Sequence, residues 1–276
     1  MHPILIDFGV RELPLLGETH LFLPTYGVLF AAGALVAWWW FLRRARTLGV
    51  EGEEAFNLGF YGLLGGILGA KATLLLVEWR YYLEHPEDLL GSLRSAGVLM
   101  GGVLCGALVF VLYARKHGLP LFRLGDAAAA PLALAQAVGR LGCFSAGCCF
   151  GKDAPAGFPF PVTFTSAVAS AQTGVPLNRP LIPTQILQMA NDLLLAAVLT
   201  WLWRRKIRPD GSVFWWYVVL YSLTRGILEF WRGDKLRGVY FGGSISTSQI
   251  LAGCALALGV FMLARGRLRR SAPGAA

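Results

Sequence analysis

Charged residues are scarce in this chain. Lysine, arginine, aspartate and glutamate together make up 15% of the 276 residues, whereas 55% are hydrophobic and the mean hydropathy is +0.56. A soluble domain normally has about 25% charged residues. The deficit excludes an ordinary soluble globular protein and indicates a chain that lies in a membrane.

Histidine is also rare, and the opening segment lacks a cluster of cations. The first residues contain Asp7, Arg11 and Glu12 instead of a basic region, so we expect no cleaved signal peptide. No Pro/Ser-rich linker or clear repeat divides the chain, which predicts a single domain over 1–276. All four histidines fall outside the apolar runs described below, which disfavours a histidine-based zinc site within them: His2, His20, His85 and His117.

Long apolar runs are abundant. They are continuous and rich in Gly, Ala and Leu rather than alternating, which favours helices over a β-barrel. We predict an all-α integral membrane protein with about seven transmembrane helices, since about 20 apolar residues cross a bilayer. The predicted spans are 21–42, 54–78, 97–114, 125–150, 183–203, 212–231 and 244–264.

Two segments between the spans are long enough to carry structure of their own. Residues 79–96 mix aromatic and leucine residues with charges and are expected to lie along the interface as a helix, or to form an ordinary loop. Residues 152–182 hold five prolines and suggest a loop or a small head with a short strand or hairpin, with an ordinary connection as the alternative.

The cations predict an orientation. Fourteen lysines and arginines follow spans 1, 3, 5 and 7, and eight lie on the opposite side. The richer side should be cytoplasmic, so the N-terminus is expected outside and the C-terminus inside. The net charge of +9 is therefore a topology signal. No other feature supports binding to nucleic acid.

Several charges lie inside the apolar runs. At 1.5 Å per residue, Lys71, Arg140 and Arg225 are all roughly 20–25 Å from the cytoplasmic edge, at one level. Glu229 follows Arg225 by four residues and can partly neutralise it. The excess of cations, and the match of guanidinium to phosphate, favour an anionic ligand in a cavity shared by Arg140 and Arg225, with Lys71 nearby. A self-contained ion network is the alternative. Span 5 adds a polar stripe: Gln185, Gln188 and Asp192.

The five cysteines fall into two groups. Cys105 and Cys254 stand alone in apolar runs and are expected to be small core residues. Cys143, Cys148 and Cys149 are clustered at the end of span 4. They could pack closely approaching helices, form a disulfide, or act as a catalytic thiol or metal ligands. The pattern disfavours zinc among the metals, because the cluster has no CxxC pair and no nearby histidine.

The run from Gly139 to Gly151 carries a recognisable pattern, Gly-Arg-Leu-Gly-x-Phe-x-x-Gly-x-x-x-Gly. It resembles the signature of the prolipoprotein diacylglyceryl transferase family. Further segments resemble family elements in the same order, over most of the chain: Pro24-Thr25-Tyr26-Gly27, Gly69-Ala70-Lys71, Gly101-Gly102, Pro183-Thr184-Gln185, the segment from Arg225 to Arg232, and Thr247-Ser248-Gln249.

The resemblance implies an enzyme of the bacterial cytoplasmic (inner) membrane. Such an enzyme moves diacylglyceryl from phosphatidylglycerol to the lipobox cysteine of a prelipoprotein and releases glycerol phosphate. It implies no metal and no organic cofactor, and we expect a monomer. The catalytic residues implied are Tyr26, Arg140, Arg225 and Glu229. The substrate-binding residues implied are Lys71, Gly101, Gly102, Gly139, Gly142, Cys143, Gly147, Gly151, Gln185 and Gln249.

The chain also departs from the family pattern. Met100 stands where the family has a histidine, Lys71 where it has an arginine, and Cys143 where it has an asparagine. Ile182, Leu187 and Gln188 replace a histidine, a tyrosine and a glutamate. Two other functions therefore stay open: a non-catalytic protein that binds or transports a phospholipid or anion, and a transferase with a different acceptor.

Overall fold

The computed structural model describes residues 2–13, 17–92, 97–234, 238–240 and 245–271. Helices dominate these ranges. The longer ones are α1 (Thr25–Arg46), α2 (Gly52–Val77), α5 (Leu99–Lys116), α6 (Leu121–Ala146), α8 (Thr184–Arg204), α9 (Ser212–Leu228) and α10 (Thr247–Ser271). The shorter ones are α3 (Trp79–Glu84), α4 (Leu89–Ser92) and α7 (Ala167–Thr173), with single 3₁₀ turns at Pro86–Asp88 and Glu229–Trp231.

The seven long helices correspond in order to the seven predicted spans. Within the described residues, six of them are long and apolar enough to cross a membrane, and α9, with 17 residues, is the shorter seventh. The prediction of a mostly helical membrane protein is therefore confirmed. Continuous apolar runs predict helices because a helix satisfies its own backbone hydrogen bonds in lipid.

An antiparallel hairpin precedes α1, and the sequence analysis missed it. Strands β1 (Ile4–Leu13) and β2 (Gly17–Pro24) pair, so residues 21–24 belong to β2 and span 1 begins at Thr25. The register shifts between Asp7 and Gly9. Gly9 has φ +73° there, and its N–H donates to Asp7 Oδ1 at 2.9 Å, a bulge that glycine accommodates without strain.

The chain forms two compact units. One contains Trp38–Gly125, in which α2 and α5 pack through glycines. A Cβ added to Gly102 would lie 2.8 Å from the Gly66 carbonyl oxygen, so the two backbones approach closely because both positions lack side chains. Lys71 Nζ donates to the Ser92 carbonyl at 2.6 Å and ties α4 to α2. Residues 93–96 of the predicted interfacial helix lie outside the described residues.

The other unit contains Met1–Ala37 and Asp126–Ala276. Its helix α9 packs against α8 and α10. Buried Asp126 on α6 accepts the backbone N–H groups of Gly211 at 2.7 Å and Phe214 at 2.8 Å, which satisfies donors at the start of α9. Cys254 on α10 is exposed, so the expectation of a core residue was wrong. Apolar surface on a membrane helix does not imply burial in protein.

The segment between α6 and α8 folds as a small layer of its own. Strands β3 (Val162–Thr163) and β4 (Pro180–Leu181) form an antiparallel pair, and α7 lies between them in sequence. They cover a compact apolar core of five buried residues: Phe150, Phe164, Ala169, Val175 and Leu181. A last pair of short strands, β5 (Val239–Tyr240) and β6 (Ile245–Ser246), leads into α10.

Candidate functional site

The end of α6 determines the position of the clustered cysteines. Gly147 has φ +79°, and its N–H donates to the Phe144 carbonyl at 3.3 Å, while the Cys148 N–H donates to the Cys143 carbonyl at 3.1 Å. This pair of bonds is a Schellman motif, which stops a helix and reverses the chain over its last turn. Cys148 and Cys149 are thereby folded back beside Cys143. Glycine suits position 147 because it adopts a positive φ without the strain that a side chain would cause.

The segment after this turn is held between two others. The Lys152 N–H donates to the Trp231 carbonyl at 2.8 Å, and the Ile182 N–H donates to the Lys152 carbonyl at 2.9 Å. Gly151 pairs with Arg232 in an antiparallel bridge. A Cβ at Gly151 would collide with the Ile182 carbonyl oxygen, so only glycine fits. The ends of α6 and α9 and the start of α8 thus meet.

A small cavity lies where these segments meet. Its empty volume is about 220 Å³. The part of it that a water molecule can enter is about 10 Å³, room for about one water, so a headgroup can occupy it only after the lining side chains move apart. Arg140 and Arg225 both line it, which confirms the prediction of a shared cavity. The lining residues are Arg140, Cys149, Thr184, Gln185, Gln188, Arg225, Leu228 and Arg232.

Two of the three arginines at the cavity have carboxylate partners. Arg225 Nη2 lies 2.7 Å from Glu229 Oε2 and donates to Ser248 Oγ at 2.9 Å. Arg232 makes two parallel bonds to Asp234, Nε to Oδ1 at 2.9 Å and Nη2 to Oδ2 at 2.6 Å. Glu229 is 2% exposed and Arg225 is 8% exposed, so this pair is shielded from water and firmly oriented.

Arg140 differs from the other two. Among the described residues, no carboxylate lies within 4.0 Å of its guanidinium and no acceptor takes a hydrogen bond from it. Asp192 is near enough for its charge to act on Arg140, but one of its oxygens accepts from Gln188 Nε2 at 2.9 Å and from Asn191 Nδ2 at 3.2 Å. Arg140 is thus a partly buried guanidinium whose five donors have no hydrogen-bonded acceptor in the part of the chain that the structure describes, so they are available to an external anion.

The cavity also presents an open acceptor. Gln185 Nε2 donates to the Cys148 carbonyl at 2.8 Å, which fixes the orientation of the amide. Gln185 Oε1 is buried and has no hydrogen-bond partner among the described residues. Because a buried acceptor without a donor costs about 1–3 kcal/mol, this oxygen is suited to a ligand that carries a hydroxyl or amine.

Tyr26 on α1 and Gly142 on α6 lie in contact with each other. A Cβ at Gly142 would lie 3.1 Å from Tyr26 Cδ2, so α1 packs against α6 through this pair. The charges of Arg140 and Cys143 act on the Tyr26 hydroxyl, which therefore lies in the same neighbourhood. Gly139 has no atom within 4 Å of an added Cβ and faces open space.

Four other residues of the predicted site make structural contacts of their own. Lys71, Gly101 and Gly102 belong to the unit containing α2 and α5. Gln249 forms a reciprocal capping box with Ser246 at the start of α10: its N–H donates to Ser246 Oγ at 3.2 Å, and its Oε1 accepts the Ser246 N–H at 3.0 Å. Substrate binding by these four residues stays a prediction.

Five residues that line the cavity were not among the predicted site residues: Cys149, Thr184, Gln188, Leu228 and Arg232. Arg232 was counted among the outer cations that set topology, although it ends the motif that begins at Arg225 and so carried a signal. Cys149 was singled out with the cysteine cluster, but its place at the cavity depends on φ +58°, a left-handed conformation that the sequence does not indicate for a cysteine.

The fold and the cavity define a polytopic membrane protein with a small arginine-lined cavity enclosed by the ends of its helices. Its sequence matches the family model for prolipoprotein diacylglyceryl transferase over residues 16–265, and the chain belongs to this family. Similar proteins are named phosphatidylglycerol–prolipoprotein diacylglyceryl transferase. The one from Clostridium tetani is 36% identical, covering 89% of this chain and 94% of the relative. The one from Dehalococcoides mccartyi is 29% identical, covering 90% and 91%.

Proposed function

We propose that this protein transfers the diacylglyceryl group of phosphatidylglycerol to the lipobox cysteine of a prelipoprotein and releases glycerol phosphate. Membership of the family and the names of its relatives support the activity. The observation in the structure that carries it is Arg140, a partly buried guanidinium at the cavity that forms no ion pair within the described ranges. The phosphate of the headgroup supplies the missing anion.

The substrate fits the chemistry of the cavity at two points. A phosphate accepts two parallel bonds from a guanidinium, and Arg140 has that fork free among the described residues. A glyceryl headgroup also carries hydroxyl donors, and Gln185 Oε1 is an acceptor in need of one. A phosphate ester bearing hydroxyls therefore satisfies both, whereas a bare anion satisfies only Arg140.

The reaction is a displacement at a saturated carbon. The sulfur of the acceptor cysteine bonds to the glyceryl carbon, and the bond from that carbon to the phosphate oxygen breaks. Negative charge grows on the departing glycerol phosphate. Arg140 stabilises that charge as a preorganised cation in a site of low dielectric, and Arg225, which also lines the cavity, assists it.

The thiol proton has two acceptors in this scheme. Glu229 is held by Arg225 at 2.7 Å in the absence of substrate. As the phosphate draws Arg225 away, Glu229 loses part of its neutralising partner and becomes a better base. Tyr26 bonds the headgroup or relays the proton from its position on Gly142. In this scheme Glu229 and Tyr26 take the place, in proton transfer, of the histidine that the family has at the position of Met100.

The reaction belongs to the outer half of the bacterial cytoplasmic membrane, with the N-terminus outside and the C-terminus inside. The asymmetry of 14 against 8 cations supports this orientation. The prelipoprotein signal peptide then presents its lipobox from the outer side. The enzyme acts as a monomer and needs no metal or organic cofactor for the transfer itself.

The decisive experiment uses purified protein, phosphatidylglycerol and a lipobox peptide. We expect glycerol phosphate and a peptide heavier by one diacylglyceryl group, and neither product with a Cys→Ser peptide. Binding of phosphatidylglycerol without either product would favour a non-catalytic lipid-binding protein. Glycerol phosphate release with small thiols but not with the lipobox peptide would favour a transferase with another acceptor.

A further inference from the structure

The three cysteines at the end of α6 form one cluster. The Sγ atoms of Cys143, Cys148 and Cys149 all lie within 4.8 Å of one another, and all three thiols are free. They converge because the Schellman turn at Gly147 reverses the chain over the last turn of α6. We call them the three-cysteine cluster.

The surroundings fix the backbone of the cluster. The Cys148 carbonyl accepts from Gln185 Nε2 at 2.8 Å, and the Cys149 carbonyl accepts from Thr184 Oγ1 at 2.8 Å. Cys149 is also held at φ +58°, a left-handed conformation that is strained for a residue with a side chain. Strain of this kind persists only where neighbouring contacts impose it, so the three sulfurs are held together before any ligand arrives.

We propose that the three-cysteine cluster is a binding site for one soft, thiophilic metal ion of the Zn²⁺ type. Three thiolates select such ions over Mg²⁺ or Ca²⁺. Zn–S bonds of about 2.3 Å place tetrahedral sulfurs about 3.8 Å apart, so the cluster needs to contract by only about 1 Å. A disulfide requires about 2.05 Å and uses two of the three sulfurs, which leaves this convergence unexplained.

The charge balance favours an ion at this position. Binding releases three thiol protons to solvent, and one Zn²⁺ with three thiolates carries a formal charge of −1. Arg140 and Arg232 are near enough for their charges to act on the Cys149 thiol, so both compensate the new anion. The fourth coordination position is left for water.

The same charge has a consequence for the cavity. Cys149 and Arg140 both line it, so a metal-loaded cluster places an anion beside the guanidinium that we assign to the lipid phosphate. Metal and phosphatidylglycerol should then weaken each other's binding by the same factor. This second statement rests on the proposed function, whereas the metal site itself does not.

Zinc binding is measured by equilibrium dialysis of the purified protein in detergent with reductant removed, followed by elemental analysis. We expect one Zn²⁺ per chain, and at least tenfold weaker binding after any single serine substitution in the cluster. Cys105→Ser and Cys254→Ser are matched controls, since they remove a thiol outside the cluster and should leave the stoichiometry unchanged. Cd²⁺ provides a second readout, because thiolate ligation gives an ultraviolet charge-transfer band that the same substitutions should abolish.

Three outcomes would overturn the metal site. They are unchanged zinc binding in the triple serine variant, loss of binding in Cys254→Ser alone, and an intact mass two hydrogens lighter that shows a disulfide in the cluster. Monodisperse elution and a wild-type helical spectrum identify the variants that fold. The linkage is tested with lipid nanodiscs containing phosphatidylglycerol or phosphatidylcholine: only the former should weaken zinc binding. Zinc binding without that difference would reject the linkage and retain the site.

Discussion

Replacing Arg140 with lysine tests the central claim about the cavity. Both side chains are cationic, but lysine loses the planar fork that makes two parallel bonds to a phosphate. Arg225 and Arg232 already use their guanidinium groups on Glu229 and Asp234. Among the described residues, Arg140 is the cavity arginine without such a partner, so its fork is available to substrate.

The magnitude follows from one lost bond. A charge-assisted hydrogen bond contributes about 1.5–3 kcal/mol, which corresponds to about a 10- to 150-fold fall in rate. The loss should appear in kcat as well as in kcat/KM, because charge on the phosphate grows as the carbon–oxygen bond breaks. The assay is transfer from labelled phosphatidylglycerol to a lipobox peptide, with the lipid concentration varied.

Arg115→Lys is the matched control, since Arg115 is exposed in the last turn of α5 and should keep wild-type kinetics. Helical spectra and elution profiles of both variants need to match those of the wild type. Wild-type turnover in Arg140→Lys would refute the reasoning, because charge alone would then account for the role of the arginine. An equal loss in the Arg115 control would point to a general effect on folding or insertion.

Four further outcomes are expected. A reporter fused after Ala276 should read cytoplasmic, and a periplasmic signal would reverse the orientation. Single serine variants of the three-cysteine cluster should keep most of the transferase activity, since the attacking thiol belongs to the acceptor; complete loss in a folded variant would indicate a covalent enzyme intermediate. Gly102→Val should destabilise the α2–α5 contact by about 1–3 kcal/mol in thermal unfolding, because a Cβ at this position lies 2.8 Å from the Gly66 carbonyl oxygen. Gly253→Ala is the control and should not lower the unfolding temperature, because no atom lies within 4 Å of the added Cβ. Asp126→Ala should cost about 2–3 kcal/mol in thermal unfolding, since the start of α9 loses two bonds to a carboxylate; an unchanged midpoint would exclude that anchoring role.

The helices and the shared cavity were predictable for physical reasons. A membrane helix needs a continuous apolar run, and a cation within such a run needs a partner, so Arg140 and Arg225 could be assigned to one level before their contacts were known. Glu229 was found by its spacing of four residues from Arg225, which places both on one helix face.

Other features depend on information that local patterns do not hold. The N-terminal hairpin was missed because the apolar residues of β2 continue directly into those of α1, and the boundary at Thr25 is set by pairing with β1. Arg232 was read as a topology cation because its position at the cavity is fixed by a bridge to Gly151, 81 positions earlier in the chain. The prediction that Cys254 is buried was wrong because lipid, unlike water, accepts an apolar side chain at the protein surface.

The bonds that join the end of α6 to the end of α9 have a consequence for biogenesis. The Lys152 N–H donates to the Trp231 carbonyl, so this wall of the cavity requires residues that the ribosome adds about 90 positions after Arg140. During synthesis α6 therefore enters the membrane while Arg140 has none of its later neighbours. An arginine at the centre of an inserting helix costs about 2.5–3.5 kcal/mol, which is an upper bound for Arg140 because it lies nearer the end of α6, and the alanines and leucines of α6 must offset that cost alone. The long apolar run of α6 therefore carries Arg140 into the bilayer before the cavity in which that arginine would bind a lipid headgroup has formed.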